Sequence, residues 1–239
     1  MAIPVIAVTN ASTCVSNAQL EAALPALQQQ VSQDFKAYWN ADCSLIAFDK
    51  THAIPEGWWQ VVVLDDPDQA GALGYHELAE NGAPLGKVFA GLDLRDGYSW
   101  TVTLSHELLE MLADPWINWC AAAGDGKIYA LEVCDPVEAD NLGYEINGVL
   151  VSDFVTPAWF ESPTVGRVDF KQRVSRPLQL GNGGYISVLD ANKGWTQISA
   201  AVNLGSAPQG SRRHRRLVAR EEWRRSSGVK TLDMANGLA

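Results

Sequence analysis

The stretch SHELLEMLADP, residues 105–115, combines one histidine and three acidic residues with leucines and ends on a proline. Its apolar spacing predicts a helix that begins near residues 98–99 and ends at Pro115, because proline cannot continue a helix. On that helix His106 and Glu110, four residues apart, share one face with Cβ atoms about 5–6 Å apart. An imidazole nitrogen and a carboxylate oxygen so placed can reach the same divalent ion.

The alternative is an ordinary amphipathic helix with a solvated acidic face, and the HExxE pattern alone favours that reading. Three neighbouring features shift the balance towards a metal site. Leucines and Met111 surround the triplet, which predicts a buried helix, and buried charges need a partner or a metal. The sequence has no Lys or Arg between Arg95 and Lys127. A second acidic cluster, Glu132 and Asp135 in LEVCDPVE, follows the helix.

Catalytic zinc has three protein ligands and one open position for water. Glu132 is the predicted third ligand, and Asp135 is the alternative ligand or a residue that orients His106. Asp114 is predicted to cap the end of the helix, with support of the site as its second reading. Glu107 lies about 100° round the helix from the neighbouring ligand and could reach a metal-bound water.

These segments resemble the HExxE branch of the zincin-like metallopeptidases, in which an HExxExxx(D/N)P helix is followed by an ExxD segment. The resemblance implies peptide hydrolysis with Zn²⁺, or another divalent cation, as cofactor. It implies His106, Glu110 and Glu132 as metal ligands and Glu107 as the general base. In zincins an edge strand ahead of the metal helix pairs with an extended peptide substrate, and GKVFAGLDL (86–94) has that position here.

The departure from HExxH has a chemical consequence. One histidine and two carboxylates cancel the charge of Zn²⁺, so the bound water is acidified less and activity is expected to be weak or shifted to higher pH. Carboxylate-rich ligation also weakens the preference for zinc over manganese or calcium.

Several other polar residues could in principle belong to the site. Hydrolysis requires a group that stabilises the oxyanion, and Tyr129, Tyr144 and His76 are the candidates. His52 and His76 are predicted to lie in loops and not to be ligands. Cys134 is predicted to be a buried free thiol rather than a thiolate ligand.

The elements around the metal helix predict an α+β fold. A helix is expected from Ser16 to Trp39, with Pro25 marking a kink or a later start. Asn147-Gly148 between two apolar runs predicts a two-residue hairpin turn. Further predicted features are strands at 5–8, 45–48, 59–66 and 86–94, a hairpin within 177–198 and a GNGG turn at 181–184. The resemblance narrows the fold to a zincin-like mixed sheet with a metal-site helix, followed by β-hairpins.

The chain of 239 residues is predicted to form one domain over residues 1–204, hairpin-rich from about 143, and a flexible basic tail over 205–239. The net charge is −10, although residues 212–239 carry eight basic and three acidic side chains. The acidic body argues against a nucleic-acid partner. The seven arginines from Arg212 to Arg225 predict docking on an acidic protein or on another copy, or else a solvated tail.

No signal peptide and no apolar run of about 18 residues is visible, which predicts a protein without a membrane span, either cytoplasmic or assembled into a larger particle. Four scattered cysteines indicate neither a disulfide scaffold nor a zinc ribbon. Three functions are therefore open. The chain is a zincin-like metallopeptidase, a non-enzymatic assembly protein such as a virion component on the same scaffold, or a peptide-binding module without metal.

Overall fold

The computed structural model describes residues 3–68, 73–123, 125–161, 166–190 and 194–200. The predicted tail, residues 205–239, and the domain boundary before it lie outside the described residues.

Five strands form a mixed sheet with one antiparallel edge. The strands are β1 (Val5–Asn10), β2 (Ser44–Asp49), β3 (Trp59–Leu64), β4 (Gly74–Leu78) and β5 (Pro84–Phe89). They lie side by side in the order β2-β1-β3-β5-β4. All neighbours are parallel except β4, which runs antiparallel to β5 at the edge. The strands predicted at 5–8, 45–48 and 59–66 are confirmed.

Helix α1 (Asn17–Gln29) follows β1 and packs on β2. Its N-cap is Ser16, whose hydroxyl accepts from the Gln19 N–H while the Gln19 side chain accepts from the Ser16 N–H. This reciprocal capping fixes the start of the helix. Pro25 therefore lies inside the helix and does not mark a later start. The chain stays helical through a π-helical segment and a last turn, α2, at Gln30–Phe35 and Lys36–Trp39.

The prediction of a strand over residues 86–94 is wrong in its second half. β5 stops before helix α3 (Ala90–Asp96), because the chain here turns onto the end of β3. A Cβ atom on Gly91 would lie only 2.5 Å from the Asp65 carbonyl oxygen, so glycine permits this close approach. A short apolar run fits a strand or a helix equally well, which explains the error. The strand at the antiparallel edge of the sheet is β4. The sequence pattern placed this segment in a loop.

Helix α4 (Trp100–Ala113) is the predicted metal helix, and its bounds confirm the prediction. Residues 101–113 are all buried, and the helix packs against β4 and β5. At its start, the Ser99 N–H donates to Asp140 Oδ2 over 2.7 Å. Near its middle, the Ser105 hydroxyl accepts from the Ser152 N–H over 2.7 Å and thereby ties the helix to the C-terminal half.

Short antiparallel strands follow α4 along the chain. Asn147 and Gly148 join one hairpin with positive φ angles of 51° and 79°, which confirms the predicted turn. The hairpins begin at Cys120, earlier than the predicted residue 143. A four-stranded sheet comprises β6 (Cys120–Ala122), β7 (Ile128–Ala130), β10 (Tyr185–Asp190) and β11 (Gly194–Ser199), and the separate hairpin pairs β8 (Tyr144–Ile146) with β9 (Val149–Val151).

A buried carboxyl pair, Asp153 and Asp169, holds the segment after β9. Asp153 Oδ1 accepts from the N–H groups of Phe154 and Lys171 at 2.8 and 3.2 Å. Asp169 accepts from the Arg173 N–H at 2.6 Å. Burial, followed by a hydrogen bond with Asp169, raises the pKa of Asp153 to about 8. Burial thus favours the protonated form of Asp153 at neutral pH.

This pair predicts a pH-dependent stability. A carboxyl group whose pKa is raised on folding contributes stability that is complete below its unfolded pKa, about 4, and is lost as the pH rises through about 8. In Asp153→Asn the amide can donate at every pH, so the variant should gain stability relative to wild type between pH 5 and pH 8. Urea unfolding at both pH values measures this, and an equal difference at the two values would contradict it.

Candidate metal centre

His106 and Glu110 face each other on α4 as their spacing predicts. His106 Nε2 lies 3.2 Å from Glu110 Oε2, and both side chains are fully buried. Their position inside a buried helix makes this an interior polar site rather than a solvated face.

Glu110 also fixes the second acidic segment against the helix. Its Oε1 atom accepts from the backbone N–H groups of Cys134 and Asp135 at 3.1 and 3.2 Å. This places Asp135 Oδ1 3.4 Å from His106 Nε2. The helix and the second acidic segment, which are separate in the sequence, thus meet at the Glu110 carboxylate.

The distances from His106 suit a metal ion. A tetrahedral ion with bonds of about 2.0–2.2 Å holds neighbouring ligand atoms about 3.3–3.6 Å apart. The separations of 3.2 Å to Glu110 and 3.4 Å to Asp135 are close to that requirement. Asp135, the alternative third ligand from sequence, therefore lies beside His106.

Glu132, the predicted third ligand, lies in the same buried cluster but in a different grouping. Ligand atoms of Glu132, Glu110 and His76 all lie within 4.8 Å of one another. Atoms of His106, Glu110 and Cys134 form a second such group. Burial raises the pKa of the Cys134 thiol well above its usual range, which favours the neutral thiol.

The electrostatics of Asp135 favour a cation nearby. Burial raises the pKa of its carboxyl well above the usual range, and the charges of Glu132 and Glu138 raise it further. A hydrogen bond with the Tyr185 hydroxyl acts in the opposite direction. A divalent cation would stabilise the ionised carboxylates that burial and like charge disfavour.

His76 is the residue that sequence reasoning misplaced. It lies on β4 rather than in a loop, is 3% exposed, and its Nδ1 atom lies 3.7 Å from Glu107 Oε2. A five-residue strand with no regular apolar alternation gives little sequence signal. No fixed spacing links such a strand to the HExxE motif, so its convergence on α4 follows from the sheet alone.

Gly74 lets β4 approach α4 closely. A Cβ atom at this position would lie 2.7 Å from Thr103 Cγ2 and 2.9 Å from Glu107 Cγ. Both contacts are shorter than folded proteins allow, so a larger residue would push the strand away from Glu107.

The GNGG turn supports Asp135 from the other side, in addition to being the turn that its sequence predicts. The Gly181 N–H donates to the Pro136 carbonyl oxygen over 2.8 Å. A Cβ atom on Gly184 would lie only 2.1 Å from that same oxygen. The turn and the following Tyr185 therefore pack directly on the segment that carries Asp135.

Asp114 lies at the end of α4 and has the structural role that its position before Pro115 predicts. Its Oδ1 atom accepts from the N–H groups of Asn118 and Trp119 at 2.9 and 3.0 Å, which folds the loop after α4. The Trp119 carbonyl then accepts from the Leu131 N–H over 3.2 Å. Asp114 thus helps to bring the residue before Glu132 to its place.

The tyrosine candidates for oxyanion stabilisation are engaged elsewhere. The Tyr129 hydroxyl donates to Asp125 Oδ2 and the Tyr144 hydroxyl to Asp34 Oδ2, each over 2.8 Å. In both cases burial raises the tyrosine pKa above its usual range. Neither hydroxyl bond connects to the buried cluster, so the structure gives these residues no place in it.

His52 is exposed, as a loop residue should be, and its Nδ1 atom lies 3.0 Å from Asp49 Oδ1. It lines a cavity of about 280 Å³ at the N-terminal end of α1, together with Asn17 and Phe48. None of the residues lining this cavity belongs to the buried cluster.

The chain matches no protein-family model, no curated protein and no solved structure. Within the described residues, no helix is both long and apolar enough to cross a membrane. The function must therefore be argued from the residues of the site.

Replacing Gly184 by alanine should displace the segment that carries Asp135, because the GNGG turn packs directly on that segment. The new Cβ would meet the Pro136 oxygen, and overpacking of this kind costs about 1–3 kcal/mol. We expect a lower free energy of unfolding in urea and a weaker affinity for Zn²⁺ in a metal titration. Gly82→Ala is the matched control, since its positive φ strains alanine but nothing lies within 4 Å. An unchanged affinity in Gly184→Ala would show that the turn does not position Asp135.

Proposed function

We propose that this chain is a metal-dependent peptide hydrolase of the zincin-like HExxE type, with Zn²⁺ as the expected cation. The observation that carries the proposal is the position of Glu110. One of its oxygens faces His106 on the same helix, and the other holds the backbone of residues 134–135. The mixed sheet with an antiparallel edge strand beside the helix supports the zincin-like interpretation.

His106, Glu110 and an acid from the segment 132–135 would hold the ion. Asp135 lies beside His106, and Glu132 groups with Glu110 and His76, so either acid could complete the set. When bound, the ion would polarise the scissile carbonyl and lower the pKa of its water.

Glu107 is the proposed general base. It is the only acid directly adjacent to His106 in sequence, and its side chain lies against the edge strand β4. In this role its carboxylate accepts a proton from the attacking water and returns it to the leaving amine.

β4 is the proposed substrate-binding strand, in place of residues 86–94. It pairs with β5 on one side, and no described strand pairs with its other side. An extended peptide can add to such an edge through main-chain hydrogen bonds. Residues on β4 would then lie next to both the peptide and Glu107.

A second candidate function is favoured by the burial of the site. His106, Glu107 and Glu110 are each 0% exposed, whereas a catalytic ion needs access for substrate. An ion closed off in this way would stabilise the fold without catalysis, as in structural metal sites. The chain would then be an assembly protein on the same scaffold, with its arginine-rich tail docked on an acidic partner.

Peptide cleavage by Glu107→Gln separates the two candidates. The amide has the same shape but cannot accept the proton, so a peptidase should keep its Zn²⁺ and lose turnover by about 100-fold or more. Zinc content by mass spectrometry and cleavage of casein are the two measurements. Glu145→Gln, the same change at an exposed position on β8, is the matched control and should cleave like wild type.

Zinc at full occupancy without cleavage that depends on Glu107 would assign the ion a structural role. A purified chain that binds no divalent cation would remove the hydrolase proposal and the structural ion, and would leave an assembly protein without metal.

A further inference from the structure

His76, an oxyanion candidate from sequence, is not a ligand of the proposed catalytic ion, yet it lies beside Glu107 in the buried cluster. The side chain is almost completely buried, and neither ring nitrogen has a hydrogen-bond partner among the described residues. Buried polar groups in folded proteins nearly always have such a partner, so an imidazole without one needs an explanation. Its position on β4, facing Glu107 on α4, directs that explanation to the carboxylate cluster.

The cluster contains two sets of possible ligands rather than one. His76 groups with Glu110 and Glu132, while His106 groups with Glu110 and Cys134, and each set lies within 4.8 Å. Asp135 lies beside His106, 3.4 Å from its Nε2 atom. Each set therefore has its own histidine, and Glu110 belongs to both.

The number of acids in the cluster also provides ligands for more than one ion. Four acids meet here with two histidines, and one divalent cation balances only two ionised carboxylates. The nearest basic residues before and after α4 in the sequence form ion pairs at the surface instead. Arg95 pairs with Asp66, and Lys127 pairs with Asp125. The four acids are Glu107, Glu110, Glu132 and Asp135.

We propose that His76, Glu110 and Glu132 form a second cation site, so that the centre binds two divalent ions that share Glu110. Paired ions in proteins lie about 3.5–4 Å apart, a separation that a shared carboxylate can span. The arrangement gives both acids of the ExxD segment a role, with Asp135 beside His106 and Glu132 beside His76. The inference rests on the proposed function in one respect, because Glu110 is also a ligand of the first ion.

The number of ions bound at saturation tests this inference. The full chain is loaded with Zn²⁺, freed of excess metal by gel filtration and analysed for zinc per chain. Wild type should bind two ions, and His76→Ala should bind one. His52→Ala removes an exposed histidine instead and should still bind two. Circular dichroism of each variant confirms that it is folded.

Loading with Mn²⁺ gives an independent measurement on the wild type, which remains decisive if His76→Ala does not fold. Two Mn²⁺ ions that share a carboxylate are magnetically coupled, so their paramagnetic resonance spectrum should lack the hyperfine pattern of isolated ions.

The possible results separate the two proposals. One zinc per wild-type chain, with the spectrum of an isolated Mn²⁺ ion, would overturn the second site and leave the proposed function intact. Two ions retained by His76→Ala would overturn the role of His76. A wild-type chain that binds neither metal would overturn the inference together with the proposed function.

Discussion

The structure of the centre depends on the carboxylate of Glu110, which joins α4 to the segment 132–135. Taking a carboxylate out of water costs several kcal/mol, and two backbone N–H bonds to a charged group return about 1.5–3 kcal/mol each. These bonds are comparable to the penalty for Glu110 alone. Asp135, Glu132 and Glu107 are buried around it as well. The proposed cation, facing Glu110 Oε2, would stabilise the ionised form of these carboxylates.

The rest of the fold packs three segments against α4 and against the chain around Asp135. Gly74 admits β4 to the side of α4, and Gly184 admits the GNGG turn to the back of Pro136. The bond from the Ser152 N–H to Ser105 attaches the C-terminal half to the same helix. Each contact needs a small residue or a specific hydrogen bond, so the site is built by close packing as much as by its ligands.

The local parts of this structure could be predicted from sequence, and the long-range parts could not. The bounds of α4 follow from helical spacing and the Asp114-Pro115 stop, and the hairpin follows from Asn147-Gly148. The helix over 90–96 was missed because a short apolar run has no decisive period. The position of His76 was missed because it depends on how β4 pairs with β5. The choice between Glu132 and Asp135 could not be made, since a segment without regular structure gives no periodicity from which to infer side-chain direction.

The central claim is that α4 and the segment 132–135 hold a common cation. Crystals grown with Zn²⁺ and measured at the zinc absorption edge test it most directly, because anomalous scattering locates the ion without reference to the protein. The account predicts a peak at bonding distance, about 2.0–2.2 Å, from His106 Nε2 and a Glu110 oxygen, with Asp135 or Glu132 completing the set. A crystal without a peak at these residues, or with their side chains directed towards solvent, would contradict it.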